Sequence, residues 1–429
     1  MSQVPGESHY RTGGFSAFIF TFLVSAFIGT NENVHESDYN LSVLTVLAIS
    51  NYRSLRKLVL PLQTLNVVTG ANGSGKSSLY RAVRLLADTA QGRVIPSLAR
   101  EGGLQSTLWA GPESISHSVR RGELPVQGTL RTERANLCLG FASDSFGYLI
   151  DLGVPAAGTT ALQLDPVVKQ ECIWHGPLPR PSAILAERRG PVVRIRNKDG
   201  DWNVVAQDIS PFDTMMMQAA DPKDAPEMLT LRESIRAWRF YDHFRTDAAA
   251  PARSPQVGTY TPVLSDDGVD VAAALETIRQ FGDRVALEAT VDDAFPGSQV
   301  VVTANSGRYT VQMKQHGLLR TLDGAELSDG TLRYILWTAA LLTTRPPALM
   351  VLNEPETSLH PSLLPPLARL IARAAKKSQV IVVTHAAQLI EALNEQPSCH
   401  SIRLEKTLGE TNIAGANRID QPPWQWPAR

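Results

Sequence analysis

The sequence predicts an α/β fold that begins near residue 44, is interrupted by an inserted antiparallel-strand and helical region, and resumes after residue 321. Three observations carry this. First, LNVVTGANGSGKSSLYRAVRLL, starting at Leu65, reads as a strand, a glycine-rich loop and a helix whose apolar stripe is Leu79, Val83, Leu85 and Leu86. Second, SDGTLRYILWTAALLTT, ALMVLN, HPSLLPPLARLIARAAKK and SQVIVVTHA alternate helix and strand from Ser328 onward. The two strands are apolar throughout, as parallel strands buried on both faces must be. Third, the text between about 93 and 315 loses that rhythm and shows short alternating segments.

The chain of 429 residues is long enough for two or three domains, or for one large domain carrying an insertion. A hydrophobic fraction of 43% with 19% charged residues is that of a globular protein. The net charge of −1 excludes a global basic field, so contact with nucleic acid would need a local patch. Cys138, Cys172 and Cys399 follow no metal or disulfide spacing and read as reduced thiols.

Residues 1–42 form an extension. Gly13 to Thr30 carries no charge and contains FSAFIFTFLVSAFIG, near the lower limit for a membrane-crossing helix. Three readings are open: a true start near Val43, a membrane tether through residues 15–30, or an exported protein. Residues 43–92 then supply strands at Leu44 to Ile49 and Leu65 to Thr69, with a second amphipathic strand between them, and the glycine-rich loop.

In the insert, residues 93–320, strands are expected at Leu137 to Phe141, Tyr148 to Leu152, Val192 to Arg196 and Trp202 to Ala206. The turn Lys198-Asp199-Gly200-Asp201 makes the last two a hairpin. Pro-rich loops fall at 177–181 and 251–262, and helices at Pro226 to Arg245 and Val269 to Phe281. No heptad pattern persists, which excludes a long coiled coil. Residues 321–429 complete the α/β part.

Gly70-Ala71-Asn72-Gly73-Ser74-Gly75-Lys76-Ser77 matches G-x-x-x-x-G-K-[ST]. Such a loop turns backbone N–H groups inward onto phosphate oxygens, with Lys76 reaching the β and γ phosphates and the Ser77 hydroxyl ligating magnesium. Gly70, Asn72, Gly73, Ser74, Gly75, Lys76, Ser77 and Ser78 are therefore the candidate phosphate contacts. On the expected helix through LRESIRAWRFYDHFR, Arg232, Arg236 and Arg239 recur at i, i+4 and i+7 beside aromatic residues. Arg188, Arg189, Arg194, Arg196 and Lys198 cluster on the hairpin. These are the candidate DNA-phosphate contacts.

With its phosphate loop, the later segments and their order, the chain resembles the ABC-type ATPase heads of the RecF, SMC and OLD group, more narrowly the stand-alone ATPases called RecF-like or AAA-family, from about Leu44 to Leu404. The resemblance implies a P-loop NTPase fold of the ABC-type ATPase head, using ATP and Mg²⁺. It makes Glu354, after the strand Ala348 to Leu352, the carboxylate that orients or deprotonates the attacking water, and His385 the switch histidine that senses the γ-phosphate. Lys76 joins them as a catalytic residue, and Ser77 and Asn353 become the metal residues.

It reads Leu327-Ser328-Asp329-Gly330-Thr331 as the signature loop, with Ser328 and Gly330 meeting ATP held by a second subunit. Thr357-Ser358-Leu359-His360 becomes the loop crossing the dimer interface. Arg53, in Asn51-Tyr52-Arg53-Ser54, is carried over as a nucleotide-proximal arginine, and the glutamine-bearing loop stays open between Gln91 and Gln105. The stretch from Lys76 to Glu354 is longer than transport cassettes need and far shorter than SMC arms require. The implied protein is cytoplasmic, dimerises on ATP and acts in DNA repair or DNA metabolism, leaving any nuclease to a separate partner. The alternative is an ATP-operated switch controlling an effector in anti-phage defence, with little hydrolysis. Asn353 departs from the family, which has Asp at that place, and the loss of a charge predicts a raised Mg²⁺ requirement.

Overall fold

The computed structural model describes residues 43–112, 136–156, 161–416 and 421–426. It opens with β1 (Leu44–Tyr52), β2 (Leu55–Pro61) and β3 (Leu65–Gly70), then α1 (Lys76–Thr89), α2 (Val94–Arg100) and the single turn α3 (Leu104–Thr107). The insert continues through β4 (Leu137–Ser143), β5 (Phe146–Gly153), β6 (Val167–His175), β7 (Ile184–Arg189), β8 (Val192–Arg196) and β9 (Trp202–Ala206). Next come α4 (Met215–Gln218), α5 (Pro226–Arg236), β10 (Arg239–Tyr241), β11 (Gln256–Val257), α6 (Val271–Phe281) and α7 (Arg284–Ala294). After β12 (Gln299–Asn305), β13 (Arg308–Lys314) and β14 (Leu322–Asp323), the chain forms α8 (Asp329–Leu341), β15 (Leu349–Asn353), α9 (Leu364–Ala374) and β16 (Gln379–Val383). It then makes α10 (Ala387–Asn394), β17 (Cys399–Thr407) and β18 (Glu410–Ile413).

The central sheet runs β10-β15-β16-β3-β17-β18 and is parallel except for β18, which folds back on β17. Its strands alternate at period 2 between two cores. Val68, Leu349, Val351, Ile381 and Val383 pack on the side of α1 and the antiparallel sheet. Leu65, Val67, Met350, Leu352, Val380 and Val382 pack on the side of α6, α8 and α9. Each of these side chains contributes about 1.5–3 kcal/mol on burial, and fully buried Asn66, a polar residue within the β3 run, has its amide hydrogen-bonded to the Gln63 backbone. Burial on both faces is the physical content of the apolar runs.

The second sheet is antiparallel, in the order β2-β1-β4-β5-β6-β7-β8-β9, and so includes the first two strands of the chain. Fully buried Gln379 ties the two sheets together. Its Oε1 accepts from Leu44 N (2.9 Å) and its Nε2 donates to the carbonyls of Leu44 and Gln63 (2.8 Å each). The predicted hairpin forms as β8 and β9, and the helix expected from Val269 runs from Val271.

The helix expected from Pro226 to Arg245 instead ends at Arg236, and Arg239–Tyr241 becomes the edge strand of the central sheet. Phe240 joins one core and Tyr241 the other, a placement only an extended chain allows. Arg239 therefore does not share a helical face with Arg232 and Arg236, and those two both pair with Glu233 (3.0 and 3.2 Å).

Arg188 is likewise interior: its side chain and that of Glu171 are both 0% exposed and lie 3.2 Å apart. Arg194 pairs with Glu187, and the guanidinium groups of Arg194 and Arg196 stack over the Trp202 ring at 4.7 and 5.0 Å. Of these cations Arg188 is lost to the interior, while Arg189, Arg194 and Arg236 keep 56%, 41% and 50% side-chain exposure beside glutamates. No helix among the described residues is long and apolar enough to cross a membrane, and the apolar run at 15–30 lies outside the described residues.

Candidate functional site

The phosphate loop leaves β3 and enters α1. Gly70, Gly73 and Gly75 have φ of +144°, +76° and +109°, a region L side chains rarely adopt. At two of them space is also closed: a Cβ on Gly70 would strike the Leu404 carbonyl of β17, and one on Gly75 the Thr411 side chain of β18. The loop's floor is therefore the C-terminal hairpin.

α1 starts with no acidic residue in its first turn and no side-chain cap, so its leading N–H groups are left for an anion. Lys76 Nζ sits on the carbonyls of Gly70 (2.6 Å) and Ala71 (3.1 Å), and the buried Ser74 hydroxyl has no partner. Glycines at positive φ, an uncapped helix and an orphaned hydroxyl fit a phosphate chain.

Parallel pairing sets Asn353 beside Val383, and Val383 beside Val68, so β15, β16 and β3 end at one edge. Ligand crevices in open α/β sheets lie at that edge. Glu354 follows β15 with φ +48°, a strained conformation for a residue before proline. Three bonds hold it there: Glu354 N to Val383 O (2.7 Å), Trp337 Nε1 to Pro355 O (3.0 Å) and Arg333 Nη1 to Thr357 O (2.8 Å). Two adjoining clefts of about 470 and 840 Å³ share Arg53, Ser77 and Glu354, the smaller also lined by Asn72, Gly73 and Lys76, the larger by Asn353 and Thr357.

His385, past the end of β16, places Nδ1 3.4 Å from Glu354 Oε1 and 3.5 Å from Glu356 Oε1. Glu356 carries the corner: its Oε1 accepts from Thr384 Oγ1 (2.6 Å) and from the N–H groups of His385 (3.2 Å) and Ala386 (3.3 Å), while its buried Oε2 has no partner.

Ser328 caps α8, its hydroxyl accepting from Thr331 N (3.2 Å), and Gly330 lies against the Ser358 carbonyl, which a Cβ would approach to 3.1 Å. Arg253 secures this turn by donating to the Leu327 carbonyl (2.7 Å) and to Asp329 Oδ1 (2.6 Å). Neither Ser328 nor Gly330 lines the clefts that hold Lys76 and Glu354. The Ser328 turn and the 357–360 loop are thus neighbours, and of the two only the loop, through Thr357, reaches the larger cleft.

The family model described as "AAA domain, putative AbiEii toxin, Type IV TA system" matches residues 65–160 and 218–391, more than half of the chain and including Lys76, Glu354 and His385. The chain belongs to this AAA-domain family. Solved structures similar to it include the SMC head bound to the C-winged helix domain of ScpA, at 13% identity and TM-score 0.46, covering 87% of this chain and 97% of that one. Another is the SMC head domain from Thermotoga maritima, at 13% and 0.39, covering 87% and 99%. A third is an SMC head with an extended coiled coil bound to the C-terminal domain of ScpA derived from Pyrococcus furiosus, at 13% and 0.44, covering 87% and 96%. No curated protein matches.

In this AAA-domain protein the second matched segment carries, in order, the Ser328 turn, Glu354 after β15, the 357–360 loop and His385 past the end of β16. Arg53, outside the match, has φ +50° and binds Glu101 through Nε (3.0 Å) while lining both clefts. Gln91 and Gln105 line neither. Sequence reasoning passed over Glu101, Arg253, Arg333, Glu356, Lys406 and Thr411. Only Glu356, a second carboxylate two residues after Glu354, carried any local signal; the others act through contacts distant in sequence.

Proposed function

We propose that this AAA-domain protein binds ATP with Mg²⁺ and hydrolyses it, in an active form made of two copies. The observation that carries the reading is Glu354, held at the strand edge beside His385 in the cleft that Lys76 and Ser77 line. The loop N–H groups and Lys76 bind the phosphates, and Ser77 with Asn353 would hold the metal, which supplies charge neutralisation when bound. Glu354 orients the attacking water and accepts its proton, and His385 faces the terminal phosphate. Ser328 and Gly330 lie outside their own subunit's cleft, which supports their serving the cleft of the second copy. What the pair would clamp, by family analogy, is DNA. Arg189, at 56% side-chain exposure and 3.8 Å from Glu187, and Arg236, at 50%, keep the exposure that role needs.

Asn353 favours a second reading, an ATP-operated switch with slow turnover that controls a partner effector. An amide oxygen replaces a charged metal ligand there. Asn353→Asp is expected to lower the Mg²⁺ concentration giving half-maximal turnover by about tenfold, an effect near 1.4 kcal/mol. An unchanged Mg²⁺ dependence would show that the metal is held elsewhere.

The proposal is tested by ATP binding and phosphate release for the wild type and Lys76→Ala. The variant is expected to lose turnover and to weaken ATP by tenfold or more, since a charge-assisted phosphate contact disappears. Equal binding and turnover in the two proteins would end the reading.

A further inference from the structure

The hairpin of β17 and β18 forms the floor of the phosphate loop, and its register says more. Arg403 pairs with Thr69 and Leu404 with Gly70, after which β3 has become the loop and β17 runs on beside it. Strand alternation puts Ile402, Leu404 and Lys406 on one face, and Ile402 and Leu404 belong to the core on the α1 side. Lys406 is thereby carried past the sheet edge on the face from which α1 and its loop are entered. There it lines the same cleft as Asn72, Gly73 and Lys76.

The hairpin is fixed in this position. Its two-residue turn has Leu408 at φ +51° and Gly409 at φ +86°, the left-handed pair that matches strand twist. Thr411 Oγ1 donates to Ser74 O and contacts Ser54 Oγ (2.8 Å each), Thr411 N donates to Ser54 O (2.8 Å), and Arg56 pairs with Glu410 (3.3 Å).

The other two cations of the cleft are already engaged. Arg53 is bound to Glu101, and Lys76 rests on two carbonyls. Lys406 is exposed and makes no ion pair with a carboxylate among the described residues. A cation placed by a rigid hairpin at the wall of a phosphate cleft has its counter-ion in the ligand.

We infer that Lys406 is a nucleotide ligand, an ammonium brought from the C-terminal hairpin to the phosphate chain opposite Lys76. The inference rests on the cleft being the nucleotide site, and it adds a contact beyond the matched residues 65–160 and 218–391.

The test uses the full chain and titrates Mg-ATP and Mg-ADP into the wild type, Lys406→Gln, Lys406→Arg, Arg403→Gln and Lys76→Ala. Arg403 is exposed on the opposite face of β17 and controls for loss of one charge. Lys406→Gln should weaken nucleotide binding about tenfold, the size of one charge-assisted phosphate contact, and flatten its salt dependence. Lys406→Arg should stay within about threefold of the wild type and Arg403→Gln should be unchanged. Wild-type affinity in Lys406→Gln, with binding lost in Lys76→Ala, overturns the inference and leaves the site reading standing. An equal loss in Arg403→Gln also overturns it, since the effect would then be bulk charge. Full binding by Lys76→Ala overturns the site reading and the inference together.

Discussion

Glu354→Gln is expected to slow ATP hydrolysis by about 10²–10⁴-fold while leaving ATP binding intact, the range a positioned general base contributes. The amide is isosteric, so the backbone at φ +48° and the three bonds around Pro355 and Thr357 are kept. What changes is proton affinity and the partner of His385, whose Nδ1 lies 3.4 Å from the carboxylate. With hydrolysis blocked, the two-copy state should persist. Sedimentation with Mg-ATP should show a stable dimer for the variant where the wild type returns to monomer as ATP is consumed. Single-turnover phosphate release within tenfold of the wild type would move the base away from Glu354, with Glu356, 3.5 Å from the same nitrogen, as the group to examine next.

Arg188→Ala is expected to cost about 3–5 kcal/mol of stability, because it strands a buried carboxylate. Arg188 spans the insert: Nε donates to the Gly190 carbonyl (2.8 Å), Nη2 to the Ser210 carbonyl (2.8 Å), and Nη1 meets Glu171 at 3.2 Å. Glu171 also accepts from Tyr148 Oη (2.8 Å) and Met215 N (2.7 Å). Burial pushes its carboxyl above the usual range, Arg188 opposes that shift, and removing the guanidinium leaves the burial opposed only by the Tyr148 and Met215 hydrogen bonds. Replacing the pair with apolar residues, Arg188→Met with Glu171→Leu, should recover most of the loss. Urea unfolding followed by tryptophan fluorescence reads both, Trp174 being fully buried on β6. A loss under about 1 kcal/mol for Arg188→Ala would show that the ion pair does not hold the insert together.

The α/β part was legible because its signals are local. The strand-loop-helix around Lys76 and the apolar strands before Asn353 and Thr384 each fit in a window of a few residues, and parallel burial leaves no other pattern. The helix drawn through Arg239 failed for the opposite reason. RFY suits a helix or a strand, and pairing with Met350–Leu352, more than a hundred residues away, decides it. Arg188 was misplaced similarly, since it reads like any hairpin arginine until the loop at 210–215 closes over it. Glu101 on Arg53, Arg333 on Thr357 and Thr411 on Ser74 are contacts of the finished fold, with no spacing rule to foretell them.

The hairpin floor also fixes when the site is completed. β3 is made early in synthesis, yet one neighbour, β16, comes more than three hundred residues later, and the other, β17, later still. Gly70 meets its carbonyl wall and Gly75 its threonine only once Leu404 and Thr411 have been translated. A nascent chain that has displayed the whole AAA match through residue 391 still lacks this floor. On the proposed function, nucleotide binds the folded state alone and would therefore stabilise the chain only once this long-range closure is made.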